Sequence, residues 1–466
     1  MIGSANYGKE EKQMLLQFVV ENFRSFQKET ILNLTPAKSR IHPDHVLISE
    51  KPGPKVRALP LAVFYGANAA GKSNLIRAID FARNIIIEGR RGESVIGTVP
   101  FRLGENNIDS LSRFEFVLIH DGVLYTYGFA LTAREVAEEW LFATFERREV
   151  RLFERLTKEG KTHVEFGNRL ASNREESRRL RFVAEGTRPN QLFLTEANDR
   201  NVEALKRLFI WFRDHLVIIW PDAQYSRLIL RAYEDKYFKD FLSTYLNIAD
   251  TGIQGLELKS MKMEAEHLMN QLPEEGRKQL LEKLNIDPDH SVFLSRDKMS
   301  FMIQKDSNDE IRGLTFMTQH KKPDGSVVSF DPIDESDGTH RMLHMAPALF
   351  ELQTSDKVFV IDELDRSMHP LLCRLFVKAF LQSIMNRSSR GQILLTTHET
   401  SLLDLEIVRR DEIWFVEKDE ECSSRLTSLA EFKVRKDLSI DKGYLNGRFG
   451  AIPFLGDVRE LYNKSS

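Results

Sequence analysis

Cysteine is scarce in this sequence, and long apolar runs are missing. Among 466 residues there are two cysteines, Cys373 and Cys422, and they do not form a CxxC pair. This spacing excludes a structural zinc site or a disulfide framework, and two free thiols are typical of a cytoplasmic protein. No segment approaches the roughly 18 apolar residues that span a bilayer, so we expect no membrane partner. The polar residues 1–13 are expected to form a disordered leader.

The sequence also lacks an excess of either charge. Sixty-six basic residues face 69 acidic ones, for a net charge of −3, so no overall field recruits nucleic acid. A local basic groove would still be compatible with this balance, although charged helical faces are ordinarily just solvated. The candidates for such a groove are Arg174, Arg178, Arg179, Arg181, Lys206, Arg207 and Arg213. With 466 residues, the chain is too long for one compact core, which favours two lobes or one core with a large insertion.

A glycine loop at residues 66–73 is the strongest motif in the sequence. It consists of Gly66, Ala67, Asn68, Ala69, Ala70, Gly71, Lys72 and Ser73, which match the P-loop pattern GxxxxGK[ST]. A short apolar run predicted to be a buried strand precedes it, and an amphipathic helical pattern follows. In such a loop the backbone N–H groups bind phosphate oxygens, Lys72 contacts the β- and γ-phosphates, and Ser73 binds Mg²⁺. The alternative is a coincidental loop and helix start.

A second motif, at residues 358–363, combines four apolar residues with two acids. Asp362 would emerge at the carboxyl end of a buried strand, where open α/β sheets bind ligands. There Asp362 would hold Mg²⁺ and Glu363 would act as the general base for the attacking water. The alternative, a strand that ends in solvated acids, is weakened by the presence of the glycine loop.

Two weaker motifs complete the series. Ser336 and Gly338 lie at a predicted helix start, where they could bind phosphate, although this segment alone favours a simple helix cap. His398 ends the segment TTH after another strand, where a histidine could hydrogen-bond a γ-phosphate. A lone histidine is usually structural, but four motifs in this order are unlikely to be independent coincidences.

The order of these motifs resembles the ABC-type ATPase heads of the SMC and RecF kind. The segments that narrow the resemblance are ENFRSF at 21–26, GANAAGKS at 66–73, DELD at 362–365 with MHP at 368–370, TTH at 396–398 with LLD at 402–404, RRDEIWFVEK at 409–418 and YLNGRFGAIP at 444–453. Together they are similar to the bacterial RloA and abortive-infection AAA/ABC ATPases. Those proteins resemble the ATPase subunits of the Septu and PARIS phage-defence systems.

The resemblance implies a homodimer that holds two ATP molecules, with Mg²⁺, between its chains. Ser336 and Gly338 of one chain would contact the γ-phosphate bound by the other, and Asp365 would cross the interface. Nucleotide-binding roles are also implied for Arg24 and Asn74, and a switch role for His398. The glutamine that completes the Mg²⁺ shell in this family has no clear counterpart here, and Gln191 is the candidate.

These observations predict an α/β fold: an ABC/SMC-type P-loop ATPase head with a short, mainly helical inserted lobe. We expect an N-terminal ATPase lobe at 14–133, the insertion at 134–325 and a C-terminal ATPase lobe at 326–466. No long coiled-coil arm and no appended nuclease module are expected.

The predicted function is that of an ATP-hydrolysing sensor or scaffold in an antiphage system. Its ATP-dependent dimer, or a higher oligomer, would control a separate effector, a nuclease or toxin. One alternative is a RecF-like ATPase that clamps DNA, and another is an ATP-binding scaffold with little turnover.

Overall fold

The computed structural model describes residues 13–453, apart from short gaps. The gaps are 50–52, 91, 93, 105–109, 226, 262–272, 287–291, 297–298, 306–310, 387–389 and 434–438. Residues 1–12 of the expected leader lie outside the described part of the chain. None of the helices in the described ranges combines the length and apolar character needed to cross a membrane.

The described secondary structure mixes strands and helices along the whole chain, which confirms the α/β class. In chain order the strands are β1 (Met14–Glu21), β2 (Thr30–Asn33), β3 (Leu47–Ile48), β4 (Arg57–Ala58), β5 (Leu61–Tyr65), β6 (Ser112–His120), β7 (Val123–Leu131), β8 (Val136–Thr144), β9 (Glu149–Lys158), β10 (Lys161–Phe166), β11 (Leu216–Ile219), β12 (Ile253–Met261), β13 (Val292–Arg296), β14 (Met299–Lys305), β15 (Ile311–Lys321), β16 (Val327–Phe330), β17 (Val358–Ile361), β18 (Gln392–Thr396), β19 (Ile413–Lys418) and β20 (Ser424–Ser428). The helices are α1 (Lys72–Glu88), α2 (Arg174–Gly186), α3 (Phe193–Asp199), α4 (Glu203–Ile210), α5 (Leu228–Glu234), α6 (Lys236–Ile248), α7 (Glu274–Ile286), α8 (Asp337–Thr354), α9 (Pro370–Met385) and α10 (Ile440–Leu445).

The chain divides into two compact units. The first unit comprises Met1–Pro221, Leu352–Leu364 and Lys378–Ser466, and the second comprises Asp222–Glu351 and Asp365–Val377. This division differs from the three lobes expected at 14–133, 134–325 and 326–466. The physical reason is that the strands after residue 134 pair with strands that precede it, so they belong to the first unit.

An antiparallel sheet in the first unit explains this difference. Its strand order is β10-β9-β8-β7-β6-β1-β2, and all its neighbours run antiparallel. Asp121-Gly122, a dipeptide that favours a two-residue hairpin, joins β6 to β7, and His120 pairs with Val123 across it. Both turn residues have positive φ, 48° and 70°, as a type I′ turn requires.

The second sheet of the first unit positions the motifs. Its order is β11-β17-β18-β5-β19-β20, with parallel pairing throughout except between β19 and β20. Every residue of β5, β17 and β18 is buried, as expected of a parallel sheet covered on both faces. The apolar runs read as buried strands in the sequence are therefore confirmed, and their carboxyl ends share one edge of the sheet.

Helix α1 lies in the main hydrophobic core of the first unit. Its helically spaced apolar residues Leu75, Ile76, Ile79, Ala82 and Ile86 are all buried, as the amphipathic pattern predicts. Their core cluster also contains side chains of both large sheets. The helix that follows the glycine loop is thus fixed by packing along its length, because a buried apolar face stabilises a helix more than its intrinsic propensity does.

The second unit contains helices and also a sheet, so the lobe expected to be mainly helical has strands as well. Strands β12-β15-β14-β13 form an antiparallel sheet, and β16 also pairs with β15. Residues 301–303 (Phe-Met-Ile) and 314–316 (Leu-Thr-Phe) are short segments of a kind that favours strands, and they lie in β14 and β15. Strand β12 was missed because it pairs with residues about 60 positions later, Ile253 opposite His320, and such distant pairing leaves no local signal.

Candidate nucleotide site

The glycine loop connects the end of β5 to the start of α1 in the first unit. Gly66 packs directly against the backbone carbonyl of Val416, so a Cβ atom would collide with backbone there. Gly71, the last residue before the helix, has φ 122°, a conformation that favours glycine. The two glycines of the motif are therefore required by close approach and by backbone angle.

The Lys72 side chain is folded back over this loop. It is 6% exposed, and its ammonium group donates hydrogen bonds to the carbonyls of Gly66 at 2.8 Å and Ala67 at 3.3 Å. Helix α1 spans 17 residues, and its first turn contains no acidic side chain. The positive end of the helix dipole and the Lys72 charge thus act together on the same loop, which suits an anion such as phosphate.

Asp362 meets the first turn of α1 at the shared edge of the sheet. The Ser73 hydroxyl donates a hydrogen bond to Asp362 Oδ1 at 3.2 Å. Asp362 is 3% exposed, and its backbone N–H donates to the carbonyl of Ile219 in the neighbouring strand β11 at 2.9 Å. A hydroxyl and a carboxylate oxygen side by side are ligands that Mg²⁺ prefers, so this pair of side chains fits the ion.

Thr396 organises the two acids, although the sequence pointed to it only as the start of the TTH segment and gave it no role of its own. Its hydroxyl donates to Asp362 Oδ1 at 2.6 Å and accepts a hydrogen bond from the Glu363 backbone N–H at 2.8 Å. Glu363 has φ 49°, a strained angle for a residue with a side chain, so these bonds hold an unfavourable conformation. The signal available in the sequence was the position of Thr396 at the start of the TTH segment.

Arg24 lies in a tight turn after β1, where Phe23 and Phe26 exchange backbone hydrogen bonds of 2.8 and 2.9 Å. Burial, and then the nearby positive charge of Arg77, lower the pKa of Arg24. The neighbouring Ser25 hydroxyl accepts a hydrogen bond from the Asn74 side chain at 2.9 Å. The turn that carries Arg24 therefore contacts the first turn of α1, where Asn74 lies. The two neighbouring arginines, Arg24 and Arg77, favour an anion beside them.

His398 follows the same edge of the sheet. It is exposed, and the preceding Thr397 is held by a 3.1 Å hydrogen bond from its N–H to the Phe64 carbonyl at the end of β5. The first unit thus brings the glycine loop, Asp362, Glu363 and the segment that carries His398 to one edge.

Gln191 is not near this edge, so its assignment as the Mg²⁺-shell glutamine is wrong. Its side chain lies beside Gly89, the residue that ends α1, and the 17 residues of the helix extend about 25 Å from the glycine loop. The Gln191 amide accepts a hydrogen bond from Arg188 at 2.7 Å and donates one to Glu196 at 3.1 Å. Gln191 is a structural residue at the far end of the helix.

The predicted signature residues lie in the second unit. Ser336 caps α8, since its hydroxyl accepts a hydrogen bond from the Thr339 N–H at 3.1 Å. A Cβ atom on Gly338 would lie 2.9 Å from the Ser367 carbonyl, in the same turn as Asp365. The cap interpretation is therefore confirmed for Ser336, and the signature segment packs against the turn that contains Asp365.

Several candidates for a basic groove have local partners. Arg213 pairs with Asp214 at 2.8 Å, Lys206 pairs with Glu203 at 3.4 Å, and Arg179 donates to the carbonyls that follow α3. On α2 the exposed arginines 174, 178 and 181 alternate with exposed glutamates. This arrangement is typical of a solvated helix face.

A glycine loop that opens a helix after a parallel strand, with a Mg²⁺-type carboxylate at a nearby strand end, defines the class of P-loop nucleotide-binding proteins. Residues 61–404 match the family described as "AAA domain, putative AbiEii toxin, Type IV TA system". This match covers most of the chain, which therefore belongs to that family of AAA/ABC-type ATPases.

Solved structures to which the chain is similar include an SMC head domain and a RecF protein. The SMC head domain from Thermotoga maritima has a TM-score of 0.35 and 11% identity, covering 90% of this chain and 99% of that chain. The recombination mediator protein RecF bound to ATP, in the RecFOR pathway, has a TM-score of 0.34 and 14% identity, covering 91% and 100%. A search of curated protein sequences found no match.

Proposed function

We propose that this protein binds and hydrolyses ATP with Mg²⁺. The observation that carries the proposal is the hydrogen-bonded series from Ser73 through Asp362 and Thr396 to Glu363. It connects the first turn of α1 to the residue in the position of a general base. An arrangement that needs a strained backbone at Glu363 has a cost in stability, which favours a functional origin.

The roles of the residues follow from their positions. The loop N–H groups and Lys72 bind the phosphates, while the Ser73 hydroxyl and Asp362 carboxylate hold Mg²⁺. When bound, the ion would neutralise charge that develops on the phosphate oxygens. Glu363 orients and deprotonates the attacking water, and His398 donates a hydrogen bond to the γ-phosphate.

Phosphate release tests hydrolysis. We expect Lys72→Ala to lose nucleotide binding and Glu363→Gln to bind ATP without turnover. Unchanged ATP affinity in Lys72→Ala would refute the role of the loop. Equal, near-zero rates in wild type and Glu363→Gln would reduce the protein to an ATP-binding scaffold.

We further propose that ATP joins two chains, with Ser336, Gly338 and Asp365 of each acting on the nucleotide of the other. The variant Ser336→Asp gives a sharp test because aspartate also caps helices well, so α8 should remain intact. Its added negative charge would repel a phosphate bound in the partner chain. We expect ATP to dimerise Glu363→Gln, and the double variant with Ser336→Asp to bind ATP as a monomer. Dimers of the double variant would contradict this role.

The biological role is proposed to be that of a cytoplasmic ATPase subunit in antiphage defence, which controls a separate nuclease or toxin as in the Septu and PARIS systems. The family description, with its AbiEii toxin and type IV toxin–antitoxin terms, supports this setting. Cells that carry the gene with its neighbours should resist phage, and Lys72→Ala should abolish the resistance. Tight DNA binding that weakens steeply with salt would instead favour a DNA clamp.

A further inference from the structure

Two serines from distant parts of the chain bracket the end of the glycine loop. We propose that the Ser424 hydroxyl is a positioning group for nucleotide binding, which orients the Ala70–Gly71 peptide so that the Gly71 N–H faces the phosphates. Ser25 would hold Ser424 in place. This inference rests on the ATP-binding function proposed above and names a residue outside the P-loop that it requires.

The orientation follows from a single hydrogen bond. Ser424, at the start of β20, is 1% exposed, and its hydroxyl donates to the Ala70 carbonyl at 2.6 Å. In a trans peptide the C=O and the next N–H point in opposite directions. With the Ala70 carbonyl fixed toward Ser424, the Gly71 N–H points away from Ser424. Inward-pointing N–H groups are the phosphate ligands of such loops.

Ser424 is itself fixed by the turn after β1. Its backbone N–H donates to the Ser25 carbonyl at 2.7 Å, and the Ser25 hydroxyl accepts from the Asn74 side chain at 2.9 Å. The loop end is therefore held from β20 and from α1 through the same serine. Because Ser25 is held on both sides, the Ser424 hydroxyl has a defined direction.

The packing at Gly71 leaves little room for another arrangement. A Cβ atom on Gly71 would collide with the Ser424 hydroxyl and lie 2.9 Å from the Ser25 hydroxyl. Both hydroxyls thus occupy the space on the outer side of Gly71. If the Ser424 hydroxyl is removed, the Ala70 carbonyl loses its partner, and the peptide can rotate away from the orientation that binds phosphate.

The adjacent Ser423 provides a matched control. It is 2% exposed, and its hydroxyl accepts a hydrogen bond from the Gln27 backbone N–H at 2.9 Å. Removal of either hydroxyl leaves one backbone group without its partner. Ser423→Ala and Ser424→Ala should therefore lose similar thermal stability, but the Ser424 hydroxyl is the one that donates to the glycine loop.

The test is titration of the full-length variants with ATP and with ADP, together with steady-state hydrolysis and thermal melts. We expect Ser424→Ala to bind both nucleotides about tenfold more weakly and to show a raised KM, with kcat at saturating ATP within about threefold of wild type. Ser423→Ala should bind both nucleotides within about twofold of wild type. Equal affinities in the two variants would overturn the proposal.

A substitute variant and the behaviour of Lys72→Ala separate failure of the positioning role from failure of ATP binding. If Ser424→Ala does not fold, Ser424→Cys replaces it, since the thiol has a similar size but is a weaker donor. Its affinity should also fall, and wild-type affinity would overturn the proposal. A wild-type protein that binds no ATP would refute the ATP-binding function itself. By contrast, ATP binding that is lost in Lys72→Ala but kept in Ser424→Ala would refute the positioning role alone.

Discussion

Replacement of Thr396 by valine tests the arrangement of the two acids most directly. Valine has nearly the same shape as threonine, so the change removes the hydroxyl and leaves the packing of β18 almost unchanged. The lost hydroxyl donates to Asp362 at 2.6 Å and accepts the Glu363 N–H at 2.8 Å. Both acids then lose a partner that fixes them.

The size of the effect can be estimated from these two bonds. A hydrogen bond to a charged group contributes about 1.5–3 kcal/mol, and a buried N–H left without a partner costs about 1–3 kcal/mol. Since each 1.4 kcal/mol corresponds to about tenfold in rate, a combined loss of about 2.5–6 kcal/mol lowers kcat by about 60-fold or more. ATP affinity should change by less than about threefold, because the proposed phosphate ligands, the glycine loop and Lys72, are left unchanged.

Thr397→Val is the matched control for this measurement. Thr397 is also fully buried, but its hydroxyl accepts a hydrogen bond from the Glu399 N–H at 2.9 Å and does not contact either acid. We expect its kcat to stay within about threefold of wild type. If both variants hydrolyse ATP equally fast, Thr396 does not organise the acids and the reasoning fails.

Three further predictions concern stability and binding. Arg409→Met should reduce the free energy of unfolding by about 3–5 kcal/mol in urea denaturation, since it leaves the buried Asp411 carboxylate without its charged partner. Lys28→Met, which breaks the pair with Glu421 where both side chains are exposed, should cost under about 1 kcal/mol. Equal losses would contradict this prediction. Burial, then the charge of nearby His340, lowers the pKa of His344 to about 4, and the neutral Nδ1 accepts a hydrogen bond from the Tyr225 N–H. Below pH 6.5 the unfolded chain therefore binds more protons than the folded one. The free energy of unfolding should consequently fall by up to about 2 kcal/mol at pH 5. His344→Asn, which keeps a hydrogen-bond acceptor, should reduce the pH dependence of the free energy of unfolding between pH 6.5 and 4. An unchanged pH dependence would show that it does not come from His344. Gly66→Ala should abolish ATP binding through its collision with the Val416 carbonyl, while Gly276→Ala, with open space around it, should bind normally in the same titration.

The parallel sheet and its motifs could be predicted because their signals are local. Each buried strand is a short apolar run, and the acid that emerges at its end follows directly in the sequence. The rule that ligands bind at the carboxyl ends of parallel strands then brings the motifs to one edge. The position of Gln191 could not be predicted in this way, because the segment around it follows no such strand. Its sequence therefore carries no information on which end of α1 the glutamine approaches.

The supporting residues could not be predicted, since they act through tertiary contacts. Ser424 reaches the Ala70 carbonyl across 354 positions in the chain, and Thr396 reaches Asp362 across 34. A buried serine or threonine beside a functional residue looks like any other in sequence. In the second unit, strand β12 was missed for the same reason, since Ile253 pairs with His320.

Thr396 also links the catalytic acids to the proposed dimer contact through the backbone. Its carbonyl accepts the Leu364 N–H at 3.0 Å, and Leu364 is fully buried, so the segment 362–364 is anchored on both sides of Glu363. Asp365, the residue proposed to cross to the partner chain, is the next residue along the backbone. His398 lies two residues after Thr396 on the same strand end. A change at the γ-phosphate that moves His398 would therefore reach both the general base and the dimer contact through one threonine. Because Thr396→Val keeps this carbonyl and removes only the hydroxyl, it should slow hydrolysis and leave ATP-dependent dimerisation close to wild type.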